Sequence, residues 1–120
     1  MEKVLGIGGV FFRAKDPDAL KAWYHDHLGL DMSAGAWPQE AGYTVFAPFA
    51  ADTDYFPADR QHMLNFRVGD LRAMIAQLEA AGISVETRAE WDMPEIGKFA
   101  RCHDPEGNPI ELWEPAVAPE

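Results

Sequence analysis

Two stretches of the chain repeat one order of hydrophobic and polar residues, 54 positions apart. The sequence FFRAKD begins at Phe11, and NFRVGD begins at Asn65. Each stretch leads into an amphipathic segment, at residues 17–28 and 71–81, with an aspartate before it and a glycine after it. Aspartate caps the free N–H groups of a helix start, and glycine accepts the left-handed conformation at a helix end. The repeat therefore predicts two modules, each with one helix.

Short segments rich in apolar and β-branched residues surround the predicted helices. We predict strands at residues 8–13, 43–48, 63–68, 83–88, 99–103 and 110–113, with a turn at DPEGNP, residues 104–109. Side chains alternate across a strand, so one sheet face is apolar and packs on the helices. The opposite face carries Asn65, Arg67 and Glu111. Such a mixed face indicates either a ligand cavity or a solvent-exposed surface.

The length of 120 residues suits one domain with its own core. We predict an α+β fold in which residues 1–120 form a single domain. Module 1 covers about 5–49, a linker about 50–61, and module 2 about 62–115.

Charge and cysteine content limit the partners. The formal charge of −10 disfavours nucleic acid and anionic membranes, so we expect neither as a partner. The apolar run at residues 4–12 is too short to span a bilayer. The single cysteine, Cys102, has no internal disulfide partner, which favours a reducing cytoplasm.

Three motifs together resemble the vicinal oxygen chelate superfamily of glyoxalases, bleomycin-resistance proteins and extradiol dioxygenases. They are KDPDALKAWYHDHLGL, VGDLRAMIAQLEAAGISV and DPEGNPIELWEP, and the resemblance covers roughly residues 5–115. It implies two βαβββ modules whose strands form a cup-shaped mixed sheet with the helices outside. It also implies a ligand inside the cup and, in many members, a divalent metal acting as a Lewis acid.

The resemblance places the family's metal ligands at Gly9, Thr44, Met63 and Glu111. Only Glu111 is a suitable ligand for a hard or borderline divalent ion. His62 lies one residue from a ligand position and therefore faces away, unless a bulge turns it inward. We therefore expect no cofactor. The alternative is a divalent metal bound through Glu111 and a displaced His62 or His103.

The first functional hypothesis is a glyoxalase/bleomycin-resistance-like protein that binds a small organic molecule in the cup, without the family's full metal site. The expected ligand-binding residues are Phe11, Arg13, Phe46, Met63, Asn65, Arg67 and Trp113. Three further aromatic residues in loops or at strand edges are candidates to close over the ligand: Trp37, Tyr55 and Trp91.

The alternative is an enzyme of the vicinal oxygen chelate type. It would be a metal-dependent, glyoxalase-like lyase or a dioxygenase with a non-standard metal site, or a metal-free isomerase with Glu111 as catalytic base. A structural role for Glu111, in a salt bridge with Arg13 or Arg67, competes with the catalytic one. A third hypothesis is a structural or partner-binding module. A homodimer is compatible with all three hypotheses, with Trp23, Tyr24 and the linker aromatics as interface candidates.

Overall fold

The computed structural model describes residues 1–116 and shows an α+β fold with two α-helices and a mixed sheet. Its elements, in chain order, are α1 (Pro17–Leu28), β1 (Leu64–Arg67), α2 (Leu71–Ala80), a 3-10 helix (Ala89–Trp91), β2 (Gly97–His103) and β3 (Pro109–Pro115). The sheet order is β1-β3-β2. β3 runs parallel to β1 and antiparallel to β2. Among residues 1–116, neither helix is long and apolar enough to cross a membrane.

Both predicted helices are confirmed, together with the residues that start them. The Asp16 carboxylate accepts a hydrogen bond from the Ala19 amide at 3.1 Å, and Asp70 accepts one from Ala73 at 3.0 Å. Gly29 ends α1 with φ of 72°, the left-handed conformation that glycine adopts without strain. The repeated pattern of aspartate and glycine therefore predicted correctly where the two helices begin and end.

The core lies between α1, α2 and one face of the sheet. It consists of Leu20, Tyr24, Leu71, Leu78, Ala100, Cys102, Ile110 and Leu112. Alternate residues of β2 and β3 point into it, which confirms the predicted apolar face. Tyr24 is only 7% exposed, so the expectation that it lies in an interface is wrong. Its ring fills the space between α1 and the sheet.

The predicted turn at residues 104–109 is confirmed and connects the two halves of the chain. The Asp104 carboxylate accepts hydrogen bonds from the amides of Glu106 and Asn108, at 2.9 and 3.0 Å. The Glu106 carboxylate accepts from the amides of Lys15 and Asp16, at 2.6 and 3.0 Å. The turn between β2 and β3 is thereby bound to the start of α1.

Three predicted strands are missing from the sheet. Residues 8–13 and 43–48 lie outside it, and the segment 83–88 contributes one isolated bridge, between Glu86 and Arg101. The apolar side chains of the first two segments are therefore exposed, Phe11 by 96% and Phe46 by 88%. Alternation shows that a segment suits a strand, but pairing needs a free edge. Within residues 1–116, the outer edge of β1 has no strand beside it.

Candidate functional site

The polar face of the sheet gathers one chemical group from each strand. Asn65 of β1 lies opposite Glu111 of β3, and Arg101 of β2 lies opposite Glu111 on its other side. The side chains of these three residues lie on the face away from the helices, because their neighbours along each strand enter the core. We call Asn65, Arg101, Glu111 and Tyr55 the polar cluster.

Glu111 is the centre of the polar cluster. It is only 8% exposed, and one carboxylate oxygen accepts a hydrogen bond from Asn65 Nδ2 at 2.7 Å. The other oxygen accepts a hydrogen bond from the Tyr55 hydroxyl. A buried carboxylate needs such partners, since leaving it without them would be costly. The predicted salt bridge with Arg13 or Arg67 is absent from residues 1–116, and neutral donors take its place.

Tyr55 comes from the linker and covers the sheet at this point. Burial, followed by the hydrogen bond to Glu111, raises the pKa of its hydroxyl to about 12. The Tyr55 phenol therefore stays protonated at neutral pH and acts as a donor. Tyr55 therefore lies against Glu111, and its closure over a ligand stays a prediction.

Arg101 was missed by the sequence reasoning. Its guanidinium carbon lies 4.7 Å from the centroid of the Tyr55 ring and 5.5 Å from that of Trp91. Two of its nitrogen atoms, Nε and Nη2, are shielded from solvent and lack a hydrogen-bond partner in residues 1–116. The sequence signal that could have identified Arg101 was its place in the predicted strand 99–103, three residues before the predicted turn begins at Asp104, on the same face as Glu111.

Aromatic side chains border the polar cluster on one side. The Phe99 and Trp113 rings stack with their centroids 6.2 Å apart and their planes at 4°. The Trp113 indole N–H donates to the Ile96 carbonyl at 2.9 Å, which fixes the ring orientation. Trp113 is thus held two residues after Glu111, on the same face of β3.

The other predicted ligand-binding residues lie apart from the cluster. Arg67 donates to the carbonyls of Glu40 and Ala41, at 2.7 and 3.2 Å. Met63 is half-buried just before β1. The remaining three, Phe11, Arg13 and Phe46, are exposed in segments outside the sheet. Asn65, Glu111 and Trp113 are the predicted residues that lie in or beside the polar cluster, and Arg67 lies two residues after Asn65 on the same face of β1.

The donors in this region do not fit a divalent metal. Of the positions that the resemblance indicates, Gly9 has no side chain, and Thr44 is exposed in a segment outside the sheet. Both oxygens of Glu111 already accept hydrogen bonds. Across residues 1–116, no group of three or more His, Cys, Asp and Glu side chains is arranged to hold a metal ion. His62 and His103 are exposed.

A concave region lies on the helix side of the sheet, away from the polar cluster. It is a cavity of about 260 Å³, lined mainly by apolar side chains that include Trp37, Phe66 and Met74. Trp37 packs edge-on against Phe66, with ring centroids 5.9 Å apart. Trp37 therefore lies in the wall of this cavity and away from the polar cluster.

Most of the chain is similar to a known protein family. Residues 9–113 match the family described as glyoxalase-like domain. None of the curated proteins matches the chain.

Two solved structures from Streptomyces sp. CB03234 are similar to most of this chain. The antibiotic binding protein TnmS3 shares 27% identity over 84% of this chain and 88% of its own, with a TM-score of 0.49. A glyoxalase/bleomycin resistance protein shares 26% over 83% of this chain and 92% of its own, with a TM-score of 0.48. A glyoxalase family protein from Enterococcus faecalis shares 30% over 55% of this chain and 52% of its own, with a TM-score of 0.39.

Proposed function

The chain belongs to the glyoxalase-like domain family, and we propose that it binds a small organic molecule on the polar face of its sheet, without the family's full metal site. Glu111 carries the proposal. A buried carboxylate held by Asn65 and Tyr55 is a fixed acceptor at the centre of an aromatic surface. Binding sites for small molecules combine apolar walls with a few polar groups held in place in this way.

The surroundings of Glu111 supply both parts of such a site. Phe99 and Trp113 form a stacked apolar wall beside it. Tyr55, from the linker, bonds to it across the sheet. A ligand that enters between linker and sheet would exchange the Tyr55 hydroxyl for a donor of its own. An alcohol, phenol or amide N–H fits that position.

The hydrogen bonds of Glu111 favour binding over metal-dependent catalysis. A metal would compete with Asn65 and Tyr55 for the same two oxygens. It would also lack the nitrogen or carboxylate ligands that complete a divalent site. The competing hypothesis is a lyase or dioxygenase with a metal bound through Glu111 and either His62 or His103.

A second copy of the chain is the partner we propose, and a reducing cytoplasm the compartment. Large apolar side chains of residues 4–12 and 43–49 are exposed, among them Leu5 by 93% and Phe11 by 96%. Exposed apolar surface of this extent usually marks an interface. Cys102 is a buried free thiol and needs no oxidising environment.

Ligand-observed NMR with a fragment library tests the proposal. We expect uncharged aromatic fragments that carry an alcohol, phenol or amide donor to bind the wild-type chain, and Glu111→Gln to weaken them about tenfold. The matched control is Glu79→Gln, at an exposed position of α2, which should bind as the wild type does. Fragments that bind both variants equally would contradict a site at Glu111.

Calorimetric titration with Ni²⁺, Zn²⁺, Mn²⁺ and anaerobic Fe²⁺ separates the two hypotheses. The proposal expects no stoichiometric binding. Tight one-to-one binding that disappears in Glu111→Ala would overturn the metal-free part and support the enzyme instead.

A further inference from the structure

Arg101 carries two buried donors that residues 1–116 leave without a partner, Nε and Nη2. These two atoms belong to the same edge of the guanidinium group. Their N–H bonds point in parallel, at a spacing that matches the two oxygens of a carboxylate. A guanidinium group stays protonated in proteins, so the unpaired edge carries positive charge. Buried donors without a partner are rare and costly in proteins, so the unpaired edge of Arg101 calls for a partner from outside the described residues.

Glu86 and Glu111 are the internal candidates to pair with Arg101, since each lies opposite it in the strand pairing. Glu86 instead pairs with Arg88, at 2.7 Å. For Glu111 and Arg101, the structure also shows why no pair forms. The two residues lie opposite each other on antiparallel strands. Both Glu111 oxygens are, however, already bound by Tyr55 and Asn65. The Glu111 carboxylate and the Arg101 guanidinium group therefore lie on the same sheet face, while one edge of the guanidinium group stays unpaired.

The surroundings of Arg101 define the shape of what binds there. Its guanidinium group lies against two aromatic rings, at 4.7 Å from the centroid of Tyr55 and 5.5 Å from that of Trp91. Tyr55 belongs to the linker, and Trp91 ends the 3-10 helix. Neither ring lies in a strand of the sheet. A carboxylate that meets the unpaired edge in the plane of the guanidinium group would bring the ring it is attached to beside these two aromatic side chains.

We propose that Arg101 is the anchor for the carboxylate of a planar aromatic acid, which binds where Tyr55 and Trp91 cover the sheet. This proposal rests on the proposed function and specifies its ligand class. The net charge of −10 opposes large polyanions, which leaves a small single-charged acid as the anion that the site accepts. The hydroxyl and amide donors suggested for Glu111 fit the same ligand as ring substituents.

A pair of probes with the same shape and different charge tests the anchor. The probes are 2-naphthoate and 2-naphthamide. Their binding is measured by saturation-transfer NMR and by titration of the tryptophan fluorescence. We expect the wild-type chain to bind the carboxylate at least tenfold more tightly than the amide. Arg101→Lys keeps the charge but loses the two-donor edge, and should remove most of that preference. Arg101→Met should remove it completely.

Arg88→Lys is the matched control. Its guanidinium group also lies against Trp91, at 5.4 Å from the ring centroid, but it is exposed and pairs with Glu86 at 2.7 Å. This variant should keep the wild-type preference. Thermal unfolding of each variant checks that it folds.

The outcomes distinguish the two proposals. Equal binding of carboxylate and amide, or an unchanged preference in a folded Arg101→Lys variant, would overturn the Arg101 anchor. If 2-naphthamide still binds and Glu111→Gln weakens its binding, the proposed function survives without the anchor. If neither probe binds the wild-type chain, the anchor is wrong, and the fragment screen alone then decides the proposed function.

Discussion

The Tyr24 hydroxyl donates a hydrogen bond to the buried carboxylate of Asp104, at 2.7 Å, across 80 residues of sequence. Tyr24 lies in α1 and Asp104 in the turn between β2 and β3. The same carboxylate accepts from Asn108 Nδ2 at 2.8 Å and from two backbone amides. One side chain of the first module thus completes the turn that orients β3, and with it Glu111.

Removing the Tyr24 hydroxyl should therefore destabilise the whole domain. We expect Tyr24→Phe to lower the free energy of unfolding by about 1.5–3 kcal/mol, the value of a hydrogen bond to a buried charged acceptor. The ring still fills its place in the core, so no cavity adds to the loss. The measurement is urea unfolding. Tyr43→Phe, at a position 84% exposed, should change stability by less than about 0.5 kcal/mol. Equal effects of both changes would refute the role of this bond.

Cys102 should make the domain less stable in alkaline solution. Burial, and then the nearby Asp104, raises the pKa of its thiol from 9.0 to about 11. The folded-state value lies above the unfolded one, so the unfolded chain releases the proton first. The stabilisation of the folded state that comes from the protonated Cys102 thiol is complete below pH 9. It is lost as the pH rises towards 11, by up to about 1.4 kcal/mol per pH unit.

Comparison with Cys102→Ala tests this effect, since the two proteins differ only in the side chain at residue 102. Urea unfolding from pH 7.5 to 10.5 should show the wild-type advantage over the variant shrinking above pH 9. Parallel stability curves for the two proteins would show that the thiol does not carry the effect.

Local signals predicted the helices, and contacts distant in sequence decided the site. The alternation of core and surface residues in β3 was sufficient to place Glu111 on the polar face. Nothing local indicated that Tyr55, 56 residues earlier, would bond to it. The same alternation predicted a strand at residues 8–13, where the structure has none, because alternation shows that a segment suits a strand and does not show whether it pairs. Arg101 likewise became a candidate only once its neighbours were known.

Glu106 should hold the β2–β3 turn against α1. Glu106→Gln leaves one oxygen to accept from the amides of Lys15 and Asp16, where the carboxylate offers two. It also removes a negative charge from the start of α1, where the helix dipole favours it. We expect a loss of about 1 kcal/mol in urea unfolding. Glu79→Gln is again the control, and a loss of the same size there would mean that a general charge effect is being measured.

Gly97 should be the glycine of the sheet that least tolerates a side chain. Its φ is 133°, and an added Cβ would overlap the Glu114 carbonyl oxygen and lie 2.8 Å from Trp113 Nε1. Both neighbours belong to β3, so relief would require the two strands to part. We expect Gly97→Ala to cost roughly 2–4 kcal/mol and to shift the tryptophan fluorescence as Trp113 moves.

Gly69→Ala is the matched control for this change. Gly69 lies between β1 and α2, and an added Cβ there meets no atom within 4 Å. Its effect on the free energy of unfolding should stay within about 0.5 kcal/mol. The two variants are compared by urea unfolding and by their emission spectra. If Gly97→Ala were as stable as Gly69→Ala, Gly97 of β2 would not lie in close contact with Glu114 and Trp113 of β3. Gly97 would then not help to hold Trp113 in place.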